Sequence, residues 1–191
     1  MRNKKTTFFG FFSGVCLEGG VREEEEEMYD EMLQYIRNEE CKSVSSVLKK
    51  KSVDVNVLLK GKGSLLHEAA YQGCTKCIRV LLKCGSFVNL SDDQGFAPLH
   101  AAVLGRNCPS IRLLVQNNAL PNQVNQDGLS PCHLAVIADD MFMIHELVGP
   151  KGDPLVEGLV ASPFQMAIDL NKGEALAYFI HMSSLLVPTT S

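Results

Sequence analysis

The chain has 191 residues, 46% of them hydrophobic and 21% charged, with a net charge of −4 and a pI near 5.7. That length suits one large domain or a short repeat array, and the acidic balance gives no support for a nucleic-acid partner, which usually needs a basic stripe. Tryptophan is absent and aromatics are only 7%, so the core falls to Leu, Val, Ile and Ala; no apolar run approaches the ~18 residues needed to span a bilayer.

Residues 1–22 read as a disordered leader. Arg2, Lys4 and Lys5 precede an apolar patch from Phe8 to Leu17, in the manner of a signal peptide. Gly10, Ser13 and Gly14 interrupt that patch, and no small-residue cleavage site follows it. The acidic run Glu23 to Glu27 then leads into Met28, Leu33 and Ile36, which hold helical spacing. Carboxylates suit the start of a helix, and Lys49, Lys50 and Lys51 suit the end of the next one.

From there one unit recurs. His67, His100 and His133 are 33 residues apart, as are Leu48, Leu81, Leu114 and Leu147, and Asn56, Asn89 and Asn122. A fixed period of that size signals stacked repeats. In the clearest copy, Asp92 to Val124, Pro98 fits a first helical turn. Leu99, Ala102 and Val103 then give a short apolar face, and Pro109, Ile111, Leu113, Leu114 and Val115 begin and fill a second helix. Gly85 and Asn118 stand where left-handed helix stops belong. Neither helix can bury its stripe alone, whereas stacked copies bury it together.

The run Gly95-x-x-Pro98-Leu99-His100-Ala101-Ala102 resembles the ankyrin repeat, whose period is the same. The resemblance implies an all-α solenoid of helix-turn-helix units whose connections, Asn89 to Ala97 and Asn122 to Ser130, project as β-hairpin fingers. It implies about five repeats, near 28–58, 59–91, 92–124, 125–157 and 158–182, in a domain over 23–182 with a tail at 183–191. The pattern is strong in the three middle units. The first lacks Pro-Leu-His, Gly149 to Gly158 cannot hold a helix, and the fifth arrives one residue early at Gln165.

Catalytic and metal chemistry find little support. Seven cysteines at irregular spacing indicate free thiols in a reducing compartment, hence cytoplasm or nucleus. His67, Cys74, Cys77 and Cys84 form the tempting metal set, but no second Cys-x-x-Cys or His pair completes four ligands. No metal or cofactor is expected, and a metal- or thiol-dependent protein using Cys74 and Cys77 is the remote alternative. The three periodic histidines must lie one helix width, ~10–12 Å, apart and cannot converge; the resemblance gives them the task of fixing the turn into each first helix. Gly61-Lys62-Gly63-Ser64 lacks the spacing of a phosphate loop.

The expectation is therefore a monomeric, non-catalytic module for binding proteins. The resemblance places the partner on Lys60, Tyr71 and Gln72, then on Asp93, Gln94, Phe96 and Leu104, then on Gln126, Asp127, Leu129 and Ile137. Phe96, Leu104, Leu129 and Ile137 are large and apolar, which fits an interaction patch as well as a surface covered by the chain's own leader or tail. Asn56, after Leu48 and Asp54-Val55, resembles the segment that asparaginyl hydroxylases accept in such arrays; the alternative is an amide that braces the loop. The repeats are also similar to those of ankyrin and SOCS-box ubiquitin-ligase adaptors, so a substrate-recognition fragment is the runner-up, although only nine residues follow Met182.

Overall fold

The computed structural model describes residues 23–50, 53–59, 61, 63–148 and 162–186. The leader, Lys60 and the stretch Gly149 to Gly158 lie outside them. The described helices come in pairs: α1 Glu23–Arg37 with α2 Cys41–Lys50, α3 Leu65–Gln72 with α4 Thr75–Lys83, and α5 Pro98–Leu104 with α6 Cys108–Gln116. The series closes with α7 Pro131–Ile137 and α8 Met141–Val148, then α9 Pro163–Asp169 and α10 Gly173–Leu186. The last helix thus continues past residue 182, the expected end of the fifth repeat.

Each first helix packs on the first helix of the next pair, and each second helix on the next second helix, so the molecule has two layers. The core lies between them. Ala69, Ala102 and Ala135 are fully buried, one per repeat, and their small side chains let neighbouring helices close on one another. Leu66, Leu99, Ile78, Ile111 and Ile144, with Leu81, Leu114 and Leu147, fill the space around them at the same period. Burial of this kind carries most of the stability of helices so short.

Local chemistry sets the ends of the helices. Pro98, Pro131 and Pro163 open α5, α7 and α9, where a missing N–H costs nothing. After α4 the chain turns at Gly85 with φ 91°, and after α6 at Asn118 with φ 67°, a left-handed geometry that glycine and asparagine tolerate best.

The histidines bind each repeat to the next. His67 Nδ1 accepts from the Ser64 N–H at 3.1 Å, while its Nε2–H donates to the Phe96 carbonyl of the following repeat at 2.9 Å. His100 repeats the arrangement with the Ala97 N–H at 3.0 Å and the Leu129 carbonyl at 3.1 Å. His133 Nδ1 accepts from the Ser130 N–H at 3.0 Å. A carbonyl can only accept, so these bonds select the neutral tautomer with its proton on Nε2. Burial, the leading cause, holds both His67 and His100 below the ordinary imidazole value, the latter at about 4.

The fingers differ from the expectation. Among the described residues there is no strand, only one isolated antiparallel bridge between Leu59 and Gly63. Each finger is instead a tight turn closed by two backbone bonds: Asp92 N–H to the Phe96 carbonyl at 2.9 Å with Gly95 N–H to the Asp92 carbonyl at 3.0 Å, and Asn125 N–H to the Leu129 carbonyl with Gly128 N–H to the Asn125 carbonyl, both at 3.0 Å. The side chains of Asp92 and Asn125 hold these turns. Asp92 Oδ1 accepts from the N–H groups of Gln94 and Phe96 at 2.9 and 2.8 Å, and Asn125 Oδ1 from those of Asp127 and Leu129 at 3.0 and 2.8 Å. With the amides taken up by side chains, no ladder is left to form.

Candidate partner-binding surface

Tyr71, Leu104 and Ile137 occupy one position of the repeat, at or beside the C-terminal ends of α3, α5 and α7. They form a line across three units. Tyr71 and Leu104 are half-buried, and Ile137 is 47% exposed. Beside this line stand the finger tips, where Asp93, Gln126 and Asp127 are exposed. Gln126 does more than face solvent: its N–H donates to the Gln94 carbonyl at 3.0 Å and its Nε2 to the Asp93 carbonyl at 2.7 Å, so neighbouring fingers are stitched together. Glycine 95, with φ 82°, permits this approach, because a Cβ there would meet Asn125 Cα and Gln126 N at 3.0 Å.

Phe96 and Leu129 are half-buried. The Phe96 ring lies edge-on to the His100 imidazole, with centroids 5.5 Å apart, and the carbonyls of both residues receive histidine protons. Their position owes as much to the link between repeats as to the surface. Gln72 is half-buried, and its Nε2 donates at 2.9 Å to Glu68 Oε1. Glu68 itself is a 2% exposed carboxylate, which Arg37 Nε meets at 2.7 Å. This ion pair joins the end of α1 to α3.

Sequence reasoning missed several exposed apolar residues, Phe142 at 80% the most open, and two of them share one position of the repeat. Phe87 is 64% exposed and Leu120 54% exposed, one repeat apart in the loops after α4 and α6. Their common period was the available signal. Asn56 lies beside the same loop: its Oδ1 accepts from the Phe87 N–H at 2.7 Å and its Nδ2 donates to the Gly85 carbonyl at 3.2 Å. Asn89 braces Leu120 and Asn118 in the same way, at 2.9 and 3.1 Å.

His67, Cys74, Cys77 and Cys84, the metal set that the sequence reading set aside, do not converge. His67 is committed to Phe96, and Cys84 is exposed at the end of α4. Cys74 and Cys77 are instead joined by Cys41, a residue outside that quartet. The Cys41–Cys77, Cys74–Cys77 and Cys41–Cys74 sulfurs are 2.6, 2.8 and 3.3 Å apart. Burial above all, then the thiol contacts with Cys41 and Cys74, pushes the Cys77 thiol well above the usual range, and burial also raises Cys41. Both raised thiols, Cys41 and Cys77, are therefore neutral.

Paired helices stacked in single file, with polar turns at one edge, define an α-solenoid repeat protein. Residues 32–125 match the family model of ankyrin repeats in three copies, and the chain is an ankyrin-repeat protein. It is similar to mouse protein phosphatase 1 regulatory subunit 12A, with 31% identity over 90 residues, 47% of this chain and 8% of that protein. An ankyrin repeat protein of Rickettsia bellii is 35% identical over 65 residues, 34% of this chain and 27% of its own length. Human protein phosphatase 1 regulatory subunit 27 is 29% identical over 70 residues, 37% of this chain and 46% of its own length. The matched stretch is thus less than half of each of these relatives. Repeats of this family and regulatory-subunit relatives mark a protein-interaction module. Among the described residues, no helix is long and apolar enough to cross a membrane.

Proposed function

We propose that the chain is a monomeric, non-catalytic scaffold of the cytoplasm or nucleus that grips one protein partner across repeats two to four. The line Tyr71–Leu104–Ile137 carries this reading. An apolar stripe that widens toward Ile137 and is bordered by Asp93 and Asp127 fits a partner segment with apolar side chains flanked by basic ones. Gln72, Gln94, Gln126 and Leu129 flank the stripe, and Phe96 backs it; Lys60, expected to join them, lies outside the described residues. The ubiquitin-ligase adaptor reading rests on the repeats alone and has no separate observation in its favour.

Ile137→Asp is the sharpest test, because the exposed side chain can change without opening the core. Affinity capture with mass spectrometry should lose the partner by ~10-fold or more, as for an interface hot spot, while the thermal midpoint holds. Equal recovery of the same proteins by wild type and variant would refute this surface. A second reading follows from relatives that are regulatory subunits of protein phosphatase 1: this chain engages the same phosphatase. Binding of purified protein phosphatase 1 to the full chain tests it, and no measurable association at micromolar concentrations would end it.

A further inference from the structure

We propose that Cys41, Cys74 and Cys77 form a metal site that takes one Zn2+ through three thiolates. The sulfurs already converge on one point, with separations of 2.6 to 3.3 Å. They reach it from two repeats. Cys41 is the first residue of α2, Cys74 caps the N-terminus of α4, and Cys77 lies in the first turn of α4.

The array has no structural need of thiols at these places. Asn107 and Asp140 occupy the position of Cys41 and Cys74 in the next two repeats. Asn107 Nδ2 donates to the Tyr71 carbonyl, and Asp140 Oδ1 caps α8 through the N–H groups of Phe142 and Met143 at 3.1 and 3.2 Å. Asp140 thus does with oxygen the capping that Cys74 does with sulfur, which accepts from the Cys77 N–H at 3.4 Å, while Asn107 makes no cap bond and reaches back to the preceding repeat. At the Cys77 position the third repeat has Ser110. What the first two repeats gain from sulfur is a set of soft ligands, two of them in the Cys-x-x-Cys spacing that zinc sites use.

Geometry and charge both suit the ion. Zn–S bonds of ~2.3 Å in a tetrahedron set sulfurs ~3.8 Å apart, so the cluster must spread by roughly an ångström. Cys41, half-buried at a helix start, has the freedom to give that room and leaves its solvent side open for a water as fourth ligand. Binding forms three Zn–S bonds and releases three protons to solvent, leaving the site with one negative charge and no change of oxidation state. The N-termini of α2 and α4 both favour that charge. The ion would clamp the first repeat, which lacks the histidine staple, onto the second.

The test uses the full chain, reduced with a phosphine under argon and titrated with Zn2+ alone. One zinc per chain is expected, with release of up to three protons, a higher thermal midpoint, and thiolate-to-cobalt charge transfer when Co2+ replaces zinc. Cys41→Ser should weaken binding by ~100-fold or more, since loss of a residue that merely supports a ligand already costs 10–100-fold. Cys74→Asn with Cys77→Ser copies the residues of the third repeat, so it keeps the fold while abolishing uptake. Cys84→Ser should bind as wild type does. Failure of the reduced chain to take up stoichiometric zinc would overturn the site, as would undiminished uptake by the Cys74→Asn/Cys77→Ser chain. A Cys41–Cys77 disulfide in the isolated protein, with no zinc uptake after reduction, would equally overturn it in favour of a redox pair.

Discussion

Acidification should loosen this protein before its carboxylates titrate, because the histidines that link repeats are buried neutral. His100 is fully buried and has its folded value at about 4, against ~6.5 in an unfolded chain. A depressed imidazole contributes stability that is complete above ~6.5 and is lost as the pH falls toward 4, where the folded form also takes up its proton. At pH 5 the unfolded chain has bound nearly a full proton there and the folded chain almost none. The interval of ~1.5 units, at 1.36 kcal/mol each, makes His100 alone worth ~2 kcal/mol of destabilisation between pH 7.5 and 5. His67, lowered for the same reason, adds to it. For a chain of this size the thermal midpoint should drop by roughly 4–8 °C for the His100 share alone. Glu146, held low by Arg112, loses its contribution only below its ordinary value, so the two windows separate. Calorimetric and urea melts at pH 7.5 and 5, with proton NMR of the imidazoles, decide the matter. A His100 resonance titrating near 6.5, or stabilities within ~0.5 kcal/mol at the two pH values, would refute the reasoning.

Arg37→Ala should cost ~3 kcal/mol in urea unfolding, the lower end for a buried pair because Arg37 is partly exposed and Glu68 keeps Gln72; a loss under ~0.5 kcal/mol would show that water takes the arginine's place. Gly95→Ala should cost ~1–3 kcal/mol from the left-handed backbone and the contact with Asn125, visible as a lower denaturation midpoint. Asn56, both of whose amide functions are bonded, should become a hydroxylase substrate only through local opening. A one-oxygen mass increment on its peptide in cell-derived protein is the expected sign of modification, and its absence after coexpression with an asparaginyl hydroxylase counts against it. Phe87→Asp, exposed and clear of the core, should leave the unfolding free energy in urea within ~0.5 kcal/mol of wild type.

Little of the apolar surface was legible in the sequence: of Phe96, Leu104, Leu129 and Ile137, Ile137 is exposed and the other three are half-buried. Ile137 is exposed because Ala135 and Val136 form the core face of its helix and leave the next side chain to solvent. Phe96 was harder to read. Its neighbours in sequence indicate a finger, yet its ring rests on His100 and its carbonyl serves His67, contacts made across a repeat boundary. Phe87 and Leu120 escaped notice because they stand in loops, where no period of helix or strand assigns an inside and an outside.

The amino-acid sequence by itself determined the repeat, its helix pairs and its order of stacking. Each unit exposes an apolar face that only the matching face of a neighbour can cover, so a period of 33 residues dictates a single file of helix pairs. Tertiary structure alone decided which side chains meet between units: Cys41 with Cys74 and Cys77, Arg37 with Glu68, and Gln126 with Asp93. Those meetings depend on how far one repeat is shifted and turned against the next, a quantity set by the packing of the whole interface and written in no local run of residues.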